Sequence, residues 1–419
     1  MKKENINNTL LAVSPLGAGG MIPIQQALHL ILSSAKNFGN EEVSIHDAFN
    51  RVLAENIYAD RDYPPFNRSA MDGYAVIASD FTNANTQLKL IEKLLAGGIA
   101  SQKVTKGICI KIMTGAPVPE GADAVVRVED CIEKNNVVTF NVTAVKQKQN
   151  IATQAEDAHN GDLIIKKDIV LGATEISVLA VTGKSKVLVY KLPEITIVST
   201  GNEIVSVESP ILPHQIRDSN TYSLKSFLKT YSIYSVNTIQ VADDKIKLKE
   251  VIKNNLNKDI LIISGGVSKG DADYVPEVLI SLGVREIFHR VKIKPGAPLW
   301  FGALPSGGVV FGLPGNPVSV QIAFKVFFEP FIRRCFNMKS IQPMYFPLFN
   351  EKLKKTKFTE YFPCKLITKN KVTGIVSTKM NGSGDISATL GTHGIAVHPE
   401  KIESIKENDV VEFYFWNDK

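Results

Sequence analysis

The sequence predicts an α/β protein of several domains, built around a central doubly wound α/β domain. A chain of 419 residues is too long for a single hydrophobic core, so several domains are expected. From Glu194 onward, apolar runs of strand length alternate with segments of helical spacing, which is typical of a parallel sheet with helices on both faces. Short β-rich runs separated by turn residues precede and follow this region, and they indicate smaller β domains.

These changes of pattern predict the domain boundaries. An N-terminal domain of mixed helical and β structure is expected to be discontinuous, formed by residues 21–60 and 158–192. A β-rich domain over residues 61–157 is inserted into it, and its two ends should lie close together. The α/β domain covers 193–338, and a small C-terminal β domain covers 345–419. Residues before Gly20 are expected to form a loose tail.

The segments outside the α/β region are predicted from their local pattern. Pro23 suits the first turn of a helix, and Ile24, Ala27 and Ile31 recur at helical spacing after it. A second helix is expected over Leu171–Leu179. The β-rich runs of the inserted domain are Tyr74–Ile77, Gly107–Ile112, Ala124–Val128 and Asn136–Val142. Residues 351–416 read as further β structure behind a proline-bearing connector.

The α/β region is predicted element by element from its alternation. Its strands are expected at Ile195–Ser199, Val236–Val241, Ile260–Ser264, Ile287–Ile293 and Val309–Gly312. Its helices are expected at Asn220–Thr230, Lys245–Asn254, Tyr274–Leu282 and Val318–Phe336.

The composition excludes several classes of protein. The net charge is +6, but the basic residues are scattered, so no nucleic-acid stripe is predicted. Cys109, Cys131, Cys335 and Cys364 have no metal-ligand spacing and are expected to be reduced thiols of a cytoplasmic protein. No signal peptide and no apolar run of membrane length are found, and the seven histidines have no ligand spacing.

The most informative motif is a glycine-rich turn directly after a buried strand. Four aliphatic residues, Ile260–Ile263, suit a strand covered on both faces, and Gly265 and Gly266 let the following backbone turn sharply and present N–H groups to an anion. Asp271 and Asp273 come next, at the start of an expected helix. This order predicts a phosphate site with a bound Mg²⁺ at the carboxyl end of the strand.

A second loop of this kind follows the first strand of the region. Thr200, Gly201 and Glu203 place a hydroxyl, a glycine and a carboxylate together. A plain turn explains them equally well, although two such loops in one sheet favour function. Asp218 and Ser219 open a helix, where capping is their ordinary role and phosphate binding at the helix N-terminus is the alternative.

Two further loops are candidates for anion binding. Lys292 and Lys294 are two residues apart, so they project on one face at the end of an expected strand, and a Pro-Gly turn follows. This arrangement suits either a solvated face or an anion clamp. Pro314, Gly315 and Pro317 lie between a strand and a helix, where two prolines make the loop rigid. Such rigidity favours a preformed binding wall, and a purely structural tight turn is the competing interpretation.

Taken together, these segments resemble the molybdopterin molybdenumtransferase family (MoeA type), which includes the E domain of gephyrin. The resemblance extends from about Pro23 to Trp416 and is weakest in the C-terminal domain. The matching stretches follow the order of the family: PPFNRSAMDGYAV at 64–76, IMTGAPVPEGADAVV at 112–126, STGNEI at 199–204, IRDSNTY at 216–222, SGGVSKGDADY at 264–274, IKPGAP at 293–298 and GLPGNPVS at 312–319.

The resemblance implies a function and an assembly. It implies a homodimer whose active site lies between the α/β domain of one subunit and the inserted lid domain of the other. The reaction takes adenylylated molybdopterin and molybdate with a divalent cation, and it yields the molybdenum cofactor and AMP. Neither a membrane nor a nucleic acid is involved.

The resemblance also implies roles for individual residues. Glu203 and Asp273 are the expected Mg²⁺ ligands, because hard carboxylates from two strand ends can converge on one cation. The expected catalytic residues are Asp72, Thr114, Asp157, Asp218 and Asp273. The expected residues around the adenylyl phosphates, the pterin phosphate and molybdate are Thr200, Gly201, Ser219, Gly265, Gly266, Ser268, Arg290, Lys292, Lys294, Pro314, Gly315, Pro317 and Ser319.

The chain departs from the family pattern at three places. Ala297 stands where a second lysine is common, and Pro363 stands where an arginine is common. Residues 150–156 lack the usual arginines and glycine. The first two changes fall on positions that the resemblance links to molybdate, so they affect the expected anion affinity more than the fold.

Three other functions are weighed against the transferase. A non-catalytic scaffold would require a partner groove or a fused domain. An enzyme that adenylylates molybdopterin would resemble the central domain alone. Tungstate is open as an alternative anion, because it has nearly the size and charge of molybdate.

Overall fold

A computed structural model describes residues 20–268, 270, 273–354 and 356–417. The expected N-terminal tail and Asp271 lie outside these residues. The chain forms two compact units. One contains residues 20–41, 50–52 and 189–417, and the other contains residues 42–49 and 53–188. Among the described residues, no helix has the length and apolar character needed to cross a bilayer.

The first half of the described chain is rich in strands. Its helices and strands are α1 Ile24–Ser33, β1 Asn40–Ser44, β2 Ile57–Tyr58, β3 Arg68–Ser69, β4 Gly73–Val76, β5 Gln87–Leu94, β6 Ile108–Ile112, β7 Ala124–Arg127, β8 Cys131–Lys134, β9 Val137–Phe140, β10 Ile151–Ala152, β11 Leu163–Ile165, α2 Ala173–Val181 and β12 Lys186–Tyr190.

The inserted region folds around a six-stranded sheet of order β7-β4-β6-β5-β9-β8, in which only the β5–β6 pair is parallel. Edge-to-face contacts of Phe140 with Tyr74 and Phe81 fill one side of it. The four predicted β runs correspond to β4, β6, β7 and β9, whereas β5 and β8 were missed. A register shift within β5 breaks the alternation of buried and exposed residues that identifies a strand.

The central region alternates strands and helices. Its elements are β13 Ile195–Thr200, β14 Ile204–Val205, β15 Ile216–Arg217, α3 Asn220–Lys229, β16 Val236–Val241, α4 Lys245–Lys253, β17 Ile260–Ser264, α5 Val275–Ser281, β18 Arg285–His289, β19 Ile293–Lys294, β20 Trp300–Ala303, β21 Val309–Leu313, α6 Pro317–Ala323 and α7 Glu329–Cys335. A π-helical turn, Phe324–Phe328, joins the last two helices.

The central sheet has the order β16-β13-β17-β21-β20-β18. Its first four strands are parallel, β20 is antiparallel to β21, and the edge strand β18 is antiparallel to β20. Every residue of β13, β17 and β21 is buried, as expected for strands covered by helices on both faces. The parallel strands therefore end at one sheet edge, where their loops come together.

The predicted strand Ile287–Ile293 is wrong in its second half. The strand β18 ends at His289, and Arg290 has a left-handed backbone with φ of 76°. The chain then forms β19, which leaves the central sheet and pairs with Thr359 and Glu360. The strand β20 was not predicted at all, and it lies antiparallel between β21 and β18.

The C-terminal β structure is present as predicted. Its strands are β22 Met344–Pro347, β23 Lys352–Leu353, β24 Thr359–Lys369, β25 Val372–Ser377, β26 Gly394–His398, β27 Ser404–Ile405 and β28 Val410–Phe415. The main sheet has the order β19-β24-β26-β28-β22, with β25 also paired to β24. The strand β19 joins this sheet, which anchors the segment before Pro295 to the C-terminal domain.

Candidate active site

A cavity of about 360 Å³ lies at the carboxyl ends of β13, β17 and β21. This is the position at which open α/β sheets bind ligands. Ten of the predicted site residues line it: Thr200, Gly201, Glu203, Asp218, Gly265, Gly266, Ser268, Asp273, Pro314 and Gly315. Sequence reasoning missed other lining residues, of which Ser199, Asn220, Asp243, Ser264 and Asn316 carry polar side chains.

The glycine turn after β17 brings backbone N–H groups to the cavity lining. The turn after β17 needs glycine, because Gly265 and Gly266 have φ of 97° and 64°. The N–H of Gly265 donates to the Leu313 carbonyl oxygen at 3.0 Å, so it holds the loop rather than a ligand. Among the described residues, the N–H groups of Gly266, Val267 and Ser268 have no such partner. These three form the donor set for an anion.

The N-terminus of α6 is less available to an anion than the sequence indicated. Pro317 is its first residue and has no N–H. The next amide, of Val318, donates to the Ser383 carbonyl oxygen at 3.1 Å. The Asn316 side chain also donates to the Ser383 hydroxyl at 2.7 Å. A loop of the C-terminal domain therefore caps this helix, and the turn after β17 is the better anion site.

The hydroxyl proton of Thr200 is already used in a hydrogen bond within the protein. The hydroxyl donates to Asp243 Oδ1 at 2.7 Å, and the other oxygen of Asp243 accepts from the Asn202 N–H at 3.2 Å. A threonine hydroxyl has a single proton, so Thr200 can offer the cavity only its lone pairs. Asp243 follows β16 at the same sheet edge, and its position after a strand is the signal that could have identified it.

Asp218 has the capping role that the sequence predicted. Its two carboxylate oxygens accept from the Thr221 N–H at 3.0 Å and from the Thr221 hydroxyl at 2.7 Å. Ser219 makes no capping hydrogen bond with its side chain and does not line the cavity. Asp218 thus stabilises the start of α3 and also contributes negative charge to the cavity wall.

Asn220 connects three segments of the wall. Its side-chain nitrogen donates to the Ser264 hydroxyl at 2.9 Å and to the Gly315 carbonyl oxygen at 2.7 Å. Its side-chain oxygen is buried and has no partner among the described residues. Leaving a buried acceptor unpaired costs about 1–3 kcal/mol. The two bonds from the nitrogen hold the start of α3, the end of β17 and the loop after β21 together.

The charge of the cavity wall is negative. Glu203, Asp218, Asp243 and Asp273 line it, whereas no lysine or arginine occurs among its described lining residues. Asp273 also accepts from the Gly270 N–H at 2.7 Å. Among the described residues, no group of three or more Asp, Glu, His or Cys side chains is arranged as a metal site. Any Mg²⁺ here would rely on few protein carboxylates together with ligand oxygens.

The predicted cationic residues lie elsewhere. Arg290, Lys292 and Lys294 are not among the lining residues, and neither are Pro317 and Ser319. Lys294 is exposed in β19, beside the C-terminal sheet, and Ser319 is buried within α6. Lys294 therefore fits the solvated alternative at least as well as an anion clamp, whereas Lys292 is half-buried.

Asp72, Thr114 and Asp157 belong to the other compact unit. The N–H and the hydroxyl of Thr114 both donate to Asp72 Oδ1 at 2.7 Å. The side-chain bond and then the backbone bond from Thr114 hold the pKa of Asp72 below its ordinary value. Asp157 is exposed, and its N–H donates to the Tyr63 carbonyl oxygen at 2.9 Å.

Replacing Thr114 with valine should raise the pKa of Asp72, because the hydroxyl donor is lost while the amide donor stays. A depressed carboxyl pKa stabilises the folded state above the ordinary pKa, and this contribution is lost as the pH falls through the lowered value. A ¹³C NMR titration of the carboxyl group measures the change. Thr153→Val is the matched control, since Thr153 donates in the same two ways to Glu156 and should leave the Asp72 titration unchanged. An unshifted Asp72 pKa in Thr114→Val would contradict the assignment.

Comparison with known proteins agrees with this architecture. Three family profiles match in order: the MoeA N-terminal region (domain I and II) over residues 22–183, a probable molybdopterin binding domain over 196–334, and the MoeA C-terminal region (domain IV) over 349–416. A molybdopterin molybdenumtransferase of Synechocystis sp. is 33% identical over 400 residues, covering 94% of this chain and 100% of the relative. One of Staphylococcus epidermidis is 30% identical and covers 93% and 94%.

Solved structures give the same result. The molybdopterin biosynthesis MoeA protein of Pyrococcus horikoshii superposes with a TM-score of 0.81 at 30% identity, covering 96% of this chain and 100% of that protein. A second structure from this organism has a TM-score of 0.80 at 27% identity. The resemblance deduced from the sequence motifs is confirmed, and the chain belongs to the MoeA family of molybdopterin molybdenumtransferases, which act in molybdenum cofactor biosynthesis.

Proposed function

We propose that this chain inserts molybdate into adenylylated molybdopterin and releases AMP in a Mg²⁺-dependent reaction. The observation that carries the proposal is the mixed character of the cavity wall. Open N–H groups of Gly266, Val267 and Ser268 suit phosphate oxygens, yet carboxylates such as Glu203 and Asp273 line the same space. Phosphate and carboxylate repel one another at short range unless a cation lies between them.

Glu203 and Asp273 fit the Mg²⁺ that the proposal requires. Both line the cavity and carry hard carboxylate oxygens, and Mg²⁺ is commonly held by one or two carboxylates, substrate phosphates and water. When bound, Mg²⁺ neutralises charge on the phosphoryl oxygens as the anhydride bond breaks. None of the described lining residues is a lysine or an arginine. Neutralisation of charge by Mg²⁺ is therefore more important here than in a site that contains lysines.

The remaining lining residues position the substrate. The open N–H groups after β17 hold phosphate oxygens without adding mobile charge. The loop Pro314–Asn316 forms a fixed wall, because Asn220 holds Gly315 and Ser383 holds Asn316. A preformed wall lowers the entropy lost when the substrate binds.

Two further parts of the proposal concern the assembly and its location. In a homodimer, Asp72, Thr114 and Asp157 would complete the site of the other subunit. A cytoplasmic location suits the four cysteines, which are all free. Burial raises the pKa of the thiols of Cys109 and Cys335 to about 12, which makes them poor nucleophiles.

The test is AMP release from adenylylated molybdopterin by the full-length chain while molybdate is varied. We expect release that depends on molybdate and that stops when EDTA removes the divalent cation and resumes with Mg²⁺. The molybdate range should extend to high concentration, because Ala297 and Pro363 supply no cation. Tungstate in parallel assays measures anion preference. Binding of the adenylylated pterin without release at any anion concentration would overturn the proposal and favour a scaffold.

A further inference from the structure

The direction of hydrogen bonding differs between two hydroxyls of the cavity. Ser264 and Thr200 lie at the ends of neighbouring strands, β17 and β13. Thr200 donates its proton to Asp243, as described above. Ser264 instead accepts from the Asn220 side-chain nitrogen at 2.9 Å. The proton of the Ser264 hydroxyl is therefore free for another acceptor.

The orientation of the Asn220 amide decides this assignment. Oxygen and nitrogen of an asparagine are exchanged by a half-turn of the side chain, so the neighbours must fix which is which. The Gly315 carbonyl oxygen, 2.7 Å away, can only accept a hydrogen bond. The nitrogen must face it, because two oxygens at this distance would repel. The same nitrogen then donates its second proton to Ser264.

Ser264 is a buried residue of the cavity wall, with a side chain that is 3% exposed. Among the described residues, no acceptor for its hydroxyl proton is found, although its oxygen is occupied by Asn220. The neighbouring N–H groups of Gly266 and Val267 are donors as well. A ligand that meets this hydroxyl must therefore present an acceptor.

We propose that Ser264 donates a hydrogen bond to a phosphate oxygen of the bound substrate, and that Asn220 is the positioning residue that fixes this direction. The inference rests on the proposed function, because it takes the ligand of the cavity to be a phosphate ester. It explains why Asn220 is held with its side-chain oxygen buried and unpaired. That orientation is the one that turns Ser264 into a donor.

The experiment measures the binding of AMP and of inorganic pyrophosphate, each with Mg²⁺, to the full-length chain by calorimetry. Ser264→Ala should weaken both ligands about tenfold or more, as expected for a lost hydrogen bond to a charged acceptor. Ser264→Thr keeps the hydroxyl and should restore most of the affinity. An unchanged dissociation constant in Ser264→Ala would overturn the proposal. Weaker binding of AMP with unchanged binding of pyrophosphate would refute the assignment of a phosphate oxygen as the acceptor.

A double-substitution cycle tests the role of Asn220. If Asn220 acts through Ser264, then Asn220→Ala should weaken AMP binding about tenfold alone but only about twofold further in the Ser264→Ala background. Ser199 is the matched control, because it pairs with Ser264 in register between β13 and β17 and is not bonded to Asn220. The effects of Ser199→Ala and Asn220→Ala on the AMP dissociation constant should multiply. Independent, fully multiplicative effects of Asn220 and Ser264 would overturn the positioning role.

The outcome of the Ser264 test can be distinguished from the outcome of the test of the proposed function. Wild-type protein that binds AMP and pyrophosphate but shows no molybdate-dependent release would refute the transferase reaction and leave the Ser264 assignment standing. Wild-type protein that releases AMP while Ser264→Ala binds both ligands normally would refute the Ser264 assignment alone. Melting temperatures of all variants show whether each remains folded.

Discussion

Asp273→Asn should reduce Mg²⁺-dependent AMP release by roughly 10²–10³-fold. The substitution keeps the size of the side chain and removes the charge that would hold the cation. It also keeps an oxygen that can accept from the Gly270 N–H, so the loop should stay in place. Steady-state AMP release at several Mg²⁺ concentrations measures the effect. Raising Mg²⁺ should recover part of the activity, because the lost ligand weakens metal binding.

The matched control is Glu277→Gln on the helix that follows. Glu277 lies in the first turn of α5 and pairs at the surface with Lys245, and it does not line the cavity. Exposed ion pairs contribute little, so this variant should keep wild-type activity and stability. Glu203→Gln should behave like Asp273→Asn. Equal activity of Asp273→Asn and wild type at limiting Mg²⁺ would refute the assignment of the cation to this carboxylate.

Gly265→Ala should destabilise the protein by about 2–4 kcal/mol and remove AMP binding. The backbone of Gly265 has φ of 97°, which L-residues rarely adopt, and an added Cβ would lie 2.4 Å from the Thr200 carbonyl oxygen. The chain must shift to relieve this contact. The shift would move the N–H groups of Gly266 and Val267, which form the anion site. Chemical denaturation measures the free energy of unfolding, and calorimetry measures binding.

Gly315→Ala is the control for stability. A Cβ at Gly315 would meet only the Gly265 Cα, at 3.8 Å, which is an ordinary van der Waals distance. Its free energy of unfolding should stay within about 1 kcal/mol of wild type. A Gly265→Ala variant as stable as Gly315→Ala would show that the turn after β17 tolerates a side chain. The requirement for glycine there would then be rejected.

Local patterns predicted most of the central sheet. Strands such as Ile195–Thr200 and Ile260–Ser264 are short, apolar and flanked by turns, so their type and position can be read directly. Elements with weaker local signals were missed. The strand Gln87–Leu94 contains charged residues and a register shift, and Trp300–Ala303 is too short to show a period.

The candidate site was predicted in part for the same reason. Gly265, Gly266 and Asp273 follow a strand in sequence, so their place at the sheet edge can be deduced. Asp243 and Asn220 were missed as lining residues because their role depends on Thr200 and Ser264, which are more than 40 residues away in sequence. Lys292 and Lys294 do not line the cavity, and Lys294 lies in β19, which pairs with the C-terminal sheet.

The sequence by itself determined the family, the strand–helix alternation and the glycine turn, because each depends on residues that are neighbours along the chain. Only the tertiary structure decided which hydrogen-bonding groups remain available in the cavity. The Gly265 N–H is used by Leu313, the Val318 N–H by Ser383, and the Thr200 hydroxyl by Asp243. A polar group is open to a ligand only when no other segment satisfies it, and such pairing across distant segments is established when the chain folds.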